Sequence, residues 1–501
     1  MRIMITGRWS EINNLVTIGM ESLIPLFIIS IIGILTLLVS TRNEKEKALF
    51  ISVLILLETI RLWYNLEVST SKFQYLTKVT FIDQPFGFAP TFGIDGISII
   101  YVLLTTILIP ICILVSWESI KFLKKEFFLS LIIIEVLLIG VFTILDILGF
   151  YICFEGVLIP MYLIIGIWGA RKEKILAGYY FFFYTLLGSV FMLISIIYIY
   201  SLTGTTDYLI LQGLPIESEI QKILFLGFFI SLAIKIPMFP FHLWLPQAHV
   251  EAPVAGSVLL AGILIKLGGY GFIRYSLPLF PEASLYFSPL VLTLGTIAVI
   301  YASLTTLRQI DLKRIIAYSS VSHMGVVMLG IFSLSTIGLE GAIFLQIAHG
   351  FVSSALFILV TVLYDRHHTR IVKYYRGVAM TMPIFSIFFF VFTLANIAVP
   401  LTCNFIGEFL SLLATFQVSQ IIGVLASTGM VLSACYALFL YNRISFGSMS
   451  PYLSHTSDLT RREYSVLGFL LFFSLYLGVF PNLVLTSIHS SVYSIISLLS
   501  I

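Results

Sequence analysis

The sequence predicts an all-α polytopic membrane protein of about fourteen transmembrane helices, with two inverted five-helix repeats, each containing a discontinuous helix. Three observations predict it. Apolar residues make up 59% and charged residues 11%. Apolar runs of membrane length follow one another along almost the whole chain. Prolines interrupt two of those runs at matching places. A soluble domain carries about 25% charged residues, so a chain of 501 residues with 11% cannot cover its surface with polar side chains. Lipid is its natural solvent.

About 20 residues cross the hydrocarbon layer as a helix. Runs of this kind lie at roughly 22–40, 48–66, 92–116, 127–145, 147–168, 177–201 and 221–247, then at 256–277, 286–306, 314–333, 337–363, 381–417, 422–446 and 464–485. The run at 381–417 is too long for one straight span. The first run lacks a small-residue cleavage site and is followed by many others, so it reads as a retained helix rather than a signal peptide. The segment 66–91 has no assignment.

The runs divide into an N-terminal three-helix segment (1–126), two five-helix units (127–278 and 279–446) and a C-terminal helix (447–501). Five is odd, so the second unit starts from the opposite face and is inverted. The fourth member of each is interrupted: by Pro237, Pro240 and Pro246 in the first, by Pro400 in the second. Proline removes a helix hydrogen bond and frees a carbonyl, which at membrane depth is tolerated only where protein or water satisfies it. Either break alone also admits a simple packing kink as the lesser reading. Matching breaks in inverted units point to a transport site.

Net charge is only +3, from 28 basic and 25 acidic residues, which argues against a nucleic-acid partner. The basic residues are unevenly placed. Loops after odd-numbered helices hold 19, the other side 7 (Arg2 and Arg8 among them), and Lys235 and Lys266 lie inside spans. This positive-inside bias predicts both termini on the outer face. Cys112, Cys153, Cys403 and Cys435 are scattered through apolar runs and read as small buried residues, so neither a disulfide framework nor a zinc or iron–sulfur site is expected. There is no dinucleotide or Walker loop. No cofactor and no metal is expected in this chain.

An ionisable side chain at mid-membrane costs roughly 2.5–3.5 kcal/mol on insertion scales, and this chain holds several. Glu155 (FYICFEGVLIPMY) and Lys235 (SLAIKIPMFPFHLWLP) are expected to pair between helices, either as a static ion pair or as one that switches when a proton arrives. Lys266 (GILIKLGGYG) has no acid near it in sequence, and the glycines beside it allow a helix to approach closely. His323 and His349 on successive helices suit a proton relay, though a lone buried histidine is more often a hydrogen-bonded core residue. Haem held between the two is conceivable in a bundle, but the Lys and Glu in the same row suit proton transfer better. Ser319, Ser320, Ser322, Ser353 and Ser354 could hold bridging water. Glu408 follows the second break and is either an exit acid or a helix cap. Glu135 reads as a second acid near Glu155. Glu58 and Arg61 are expected to pair on one helix face. Asp311, Lys313 and Arg314 read as caps or topology charges, and His242, His249 and Glu251 as lining for water access.

The strings GIDGIS, FYICFEGVLIPMYLIIGIWG and KIPMFPFHLWLPQAHVEAPVAGSVLLAGILIKLGGYG, with LKRIIAYSSVSHMG, IAHGFVSSALF and NFIGEFL, resemble the subunit 4 family of antiporter-like membrane subunits of proton-pumping NADH:ubiquinone oxidoreductase, respiratory complex I, in its mitochondrial form. The likeness runs from about residue 90 onward. It implies fourteen helices, outer-side termini in the mitochondrial inner membrane, and other membrane-arm subunits, including further antiporter-like ones, as partners alongside membrane lipids. It also implies roles: Glu155 with Lys235 as the input pair, Lys266 as the central relay, and His323 and His349 as the link to Glu408 at the exit. The alternatives are an Mrp-type cation/proton antiporter subunit, marked by sodium dependence, and a structural subunit that only spaces pumping neighbours, marked by a dry axis.

Overall fold

The computed structural model describes residues 22–39, 42–78, 90–453 and 456–499. Arg2 and Arg8, and residues 79–89 of the unassigned segment, lie outside the described residues. Helices account for nearly all of the rest. The elements that matter below are α1 (Ile24–Val39), α2 (Glu44–Tyr64), α3 (Gly96–Val115), α4 (Lys124–Thr143), α5 (Ile147–Trp168) and α6 (Lys174–Thr203). The first broken span is α7 (Ser218–Lys235) with α8 (Trp244–Glu251). Next come α9 (Val254–Leu279), α10 (Pro281–Arg308), α11 (Leu312–Phe332) and α12 (Thr336–His367). The second broken span is α13 (Pro383–Asn396) with α14 (Cys403–Val418). The chain closes with α15 (Gln420–Ser445), α16 (Arg461–Val479) and α17 (Asn482–Leu499).

Eleven of the described helices are long and apolar enough to cross a membrane. Burial separates them into layers. Every residue in the apolar stretches of α9 and α12 is buried, while α6 and α15 expose most of theirs. A helix that is apolar all round and buried all round belongs at the centre of a bundle; one with exposed apolar residues faces lipid. The axis residues sit on the central helices α9, α11 and α12, on the broken ones beside them and, for Glu155, on α5.

The basic loops converge on one face. Lys45 donates to the Trp117 carbonyl, Lys125 to the Leu38 carbonyl at 2.5 Å, Arg462 pairs with Glu118 at 3.0 Å, and Arg366 pairs with Glu463 at 2.8 Å. These contacts tie loops that are remote in sequence into one basic layer.

The C-terminal region departs from expectation. Residues 447–501 hold two helices rather than one, because Pro481 follows α16 and has no N–H with which to continue it. The second, α17, lies along the face opposite the basic layer. Its Ser487 carbonyl abuts Gly96 at the start of α3, His489 Nδ1 is 2.6 Å from Glu340 at the start of α12, and Ser490 donates to the Val68 carbonyl at 2.9 Å. Successive turns meeting the ends of different helices describe a strap, not a span. On the same face, part of the unassigned loop forms a hairpin of β1 (Gln74–Lys78) and β2 (Thr91–Ile94). Cys435 is exposed on α15, against the expectation that every cysteine is buried.

Candidate functional site

Lys266 sits at the centre. Around it α9 is α-helical only over Ile265–Gly271, with π-helical turns at Leu260–Leu264 and Phe272–Ser276 on either side. Such turns loosen the backbone ladder and recur at functional sites. The ammonium donates back to the Ala261 carbonyl in the first π turn. It also lies 2.9 Å from Nδ1 of His349 on α12. The ring of His349 is 5.6 Å from that of His323 on α11. His323 Nδ1 is 2.6 Å from a Glu408 carboxylate oxygen, and its Nε2 is 3.2 Å from the Asn396 side-chain oxygen. All five side chains are buried. Lys266, His349, His323 and Glu408 therefore form a run of neighbours across four helices. Glu408 is no cap: it stands within α14, facing His323, and the N-cap position Thr402 makes no side-chain capping bond.

The glycines after Lys266 allow these approaches. A Cβ at Gly268 would meet Ile236 Cγ1 at 2.6 Å and the Leu232 carbonyl oxygen at 2.7 Å. One at Gly269 would meet the Gln346 amide at 2.5 Å. The turn that carries Lys235 is thus seated on the turn that carries Lys266.

Lys235 is the last residue of α7, at the first break. It donates to the Phe154 carbonyl at 3.4 Å and stands 4.2 Å from the Phe154 ring centroid, a cation–π arrangement. The break frees the Ile234 carbonyl, which accepts from the Trp244 indole N–H at 2.9 Å. Glu155 is adjacent on α5, but the expected ion pair is not a direct contact. Its carboxylate sits near Lys235 and Ser189 without a hydrogen bond of ordinary geometry to either. The ammonium is drawn instead to the ring and carbonyl one residue earlier. Glu135 is fully buried on α4 beside Cys112, and neither of its oxygens has a protein partner. Ser319, Ser320, Ser322, Ser353 and Ser354 each donate to a carbonyl of their own helix, which leaves their oxygens able to accept a further hydrogen bond.

On the basic face, Asp311 caps α11 as expected, accepting from the Lys313 backbone N–H at 2.9 Å. Lys313 is not a topology charge. It is buried, and its ammonium donates to the Ala252 carbonyl at 2.9 Å behind the first break. Arg370, also buried, donates to the Val250 carbonyl and lies 3.7 Å from Glu251 and 3.8 Å from Asp311. His249 stacks on Phe357 with centroids 4.5 Å apart, within electrostatic reach of both Lys313 and Lys266. His242 is stacked on Phe239 at 5.8 Å. As expected, Glu58 pairs with Arg61, at 2.5 Å.

Several polar residues of this core escaped sequence reasoning. Lys313 lies ten residues before His323, close to three helical turns, so helical spacing could have placed both on one face. Gln346 precedes His349 by three and shares its face in the same way. Asn396, at the end of a Phe-rich run, carried no periodic signal. On the opposite face a buried ion pair joins Asp95 to Arg274 at 2.5 Å. Burial alone would raise the Asp95 carboxyl; the Arg274 guanidinium and Ser98 outweigh it and hold the group below the ordinary carboxylate range. The Asp-x-x-Ser spacing of Asp95 and Ser98 was a legible capping box. The arginine partner, 179 positions away, was not.

Two broken helices flanking a buried row of titratable groups define a polytopic membrane protein of the transporter class. The comparisons carry this further. The family described as NADH:quinone oxidoreductase/Mrp antiporter, transmembrane, matches residues 145–433. NADH-ubiquinone oxidoreductase chain 4 of Metridium senile is 54% identical over 93% of this chain and 96% of its own length. Its counterpart in Chondrus crispus is 51% identical over 97% and 98%. A chain of respiratory complex I from Thermus thermophilus superposes with a TM-score of 0.87 at 29% identity, covering 95% of this chain and 99% of that one. A chain of an archaeal membrane-bound sulfane sulfur reductase shares the fold, with a TM-score of 0.82 at 21% identity. The chain belongs to the NADH-ubiquinone oxidoreductase chain 4 family.

Proposed function

We propose that this chain moves protons across the mitochondrial inner membrane, as a membrane-arm subunit of NADH:ubiquinone oxidoreductase, along Glu155, Lys235, Lys266, His349, His323 and Glu408. The observation that carries the reading is the unbroken succession of contacts from Lys266 to Glu408 inside the protein core. Lysine and histidine can each carry or give up a proton, and each neighbour in the row offers a lone pair or a proton to the next. Asn396 can accept from His323 Nε2 or, with its amide turned, donate to it, so it suits both protonation states of the ring.

Glu155 and Lys235 form the input pair. Because they are near but not bonded, an approaching charge can shift the proton balance between them without first breaking a short ionic bond. Glu408 is the exit acid. Glu135 is buried without a hydrogen-bond partner and is given no step in the route. The units 127–278 and 279–446 act as the two halves of the transport body. The convergence of basic loops on one face supports termini on the intermembrane-space side.

Moving one charge against 100 mV requires about 2.3 kcal/mol. This chain supplies no redox chemistry of its own in the proposal; partner subunits of the membrane arm transmit the energy as a charge displacement. The test is reconstitution of the whole enzyme carrying Lys266→Met. Proton ejection per electron should fall, with turnover falling alongside it. An unchanged ratio would overturn the reading, and sodium-dependent transport would replace it with cation antiport.

A further inference from the structure

A groove away from the relay opens between α1 and α2 at their basic-face ends. Its volume is about 910 Å³. Ile32, Leu35 and Val39 of α1 and Phe50 of α2 line its walls, and Arg42 and Lys47 stand at its rim. Gly33 sets the floor, where a Cβ would meet Ile51 Cγ2 at 2.5 Å. The wall residues are 53%, 54%, 82% and 65% exposed in that order, an apolar trough open to the side.

Length and charge identify what fits it. The α1 wall runs from Ile29 to Val39, about 15 Å at the helical rise. That is half of the roughly 30 Å hydrocarbon layer, the depth of one leaflet. The cations stand only at the end where a headgroup would lie. Two further lysines there are engaged with backbone: Lys45 with the Trp117 carbonyl and Lys125 with the Leu38 carbonyl. Arg42 and Lys47 are exposed at the rim. Glu44 and Glu46 share this turn without lining the groove.

We infer that the groove seats an acyl chain of an anionic phospholipid, with Arg42 and Lys47 holding its phosphodiester. A guanidinium pairs two of its N–H groups with phosphate oxygens and an ammonium adds a point charge. A zwitterionic lipid would bring its own cation toward the same two positive groups, so an anionic headgroup is the complementary one.

The test uses the intact purified enzyme, exchanged with vesicles containing photoreactive phosphatidylglycerol or a phosphatidylcholine with the same photoreactive chain. Peptides from residues 29–54 should be labelled about fivefold or more by the anionic lipid over the zwitterionic one. In the double variant Arg42→Gln, Lys47→Gln the excess should vanish while NADH:ubiquinone turnover in the assembled enzyme is retained. Equal labelling by the two lipids, or an anionic excess that survives in the double variant, would overturn the assignment. So would labelled peptides missing from this segment and protein cross-links in their place, which would mean a neighbouring subunit covers the groove.

Discussion

The two broken helices solve one problem in opposite ways. At the first, the charged residue is a cation, Lys235, held against a carbonyl and an aromatic ring while its carboxylate neighbour Glu155 stays unbonded. At the second, the residue is an acid, Glu408, bonded at 2.6 Å to a histidine that Asn396 braces from its other side. The first arrangement is loose and the second tight. A loose pair responds to a small external field, because no short bond must break first. A tight pair rearranges only when that short bond is broken. Within the proposed route, this asymmetry supplies a direction that the matching positions of the breaks alone would not.

The Asp95–Arg274 pair gives the energetic scale of a direct buried ionic contact outside the axis. Asp95→Asn should destabilise the protein by about 3–5 kcal/mol, because the guanidinium stays buried and unpaired. The measurement is thermal unfolding of the purified enzyme, and the loss should depend on pH. The folded-state Asp95 carboxyl lies below its unfolded value. Its stabilising contribution is therefore fully present above the ordinary carboxylate value of about 3.9 and disappears as pH falls through the lower, folded value. Wild type and variant should differ most near neutrality and converge in acid.

Glu408→Gln keeps the shape but replaces the carboxyl group that holds His323. Turnover coupled to proton ejection should fall about a hundredfold, a barrier change of about 2.7 kcal/mol. Glu155→Gln removes a carboxylate that bonds nothing, and its effect should be about tenfold, near 1.4 kcal/mol. Steady-state turnover with simultaneous proton counting checks both. Equal losses would abolish the distinction between a loose input and a tight exit.

How much of this was legible beforehand follows from what each feature costs. The helices were legible because oil demands long apolar runs, and the breaks because proline leaves a mark in the sequence. Lys235, Lys266, His323, His349 and Glu408 stood out because charge is rare in such runs. Which of them touch was not legible. The choice of Lys235 for the Phe154 carbonyl and ring over Glu155, and the unbonded carboxylate of Glu135, depend on ångström-scale helix rotation. The strap α17 was hidden for another reason. Its composition passes for a crossing, and only its contacts with several helix ends show that it lies flat. Lys313 was misread because its position beside a cap is also where topology charges occur.

The smallest effect tests how the first break is held open. Trp244→Phe keeps the ring in the core and deletes only the N–H that reaches the Ile234 carbonyl. That carbonyl belongs to the residue beside Lys235, so its satisfaction fixes where the ammonium can go. The loss should be about 0.5–1.5 kcal/mol in stability, the worth of one hydrogen bond. A shift in turnover is expected along with it, because a carbonyl left free competes with that of Phe154 for the Lys235 ammonium. A Trp244→Phe enzyme that is less stable but pumps with unchanged turnover would mean that the tie braces the fold and leaves the lysine alone. The looseness of the first break would then come from Lys235 and Glu155 themselves rather than from the backbone around them.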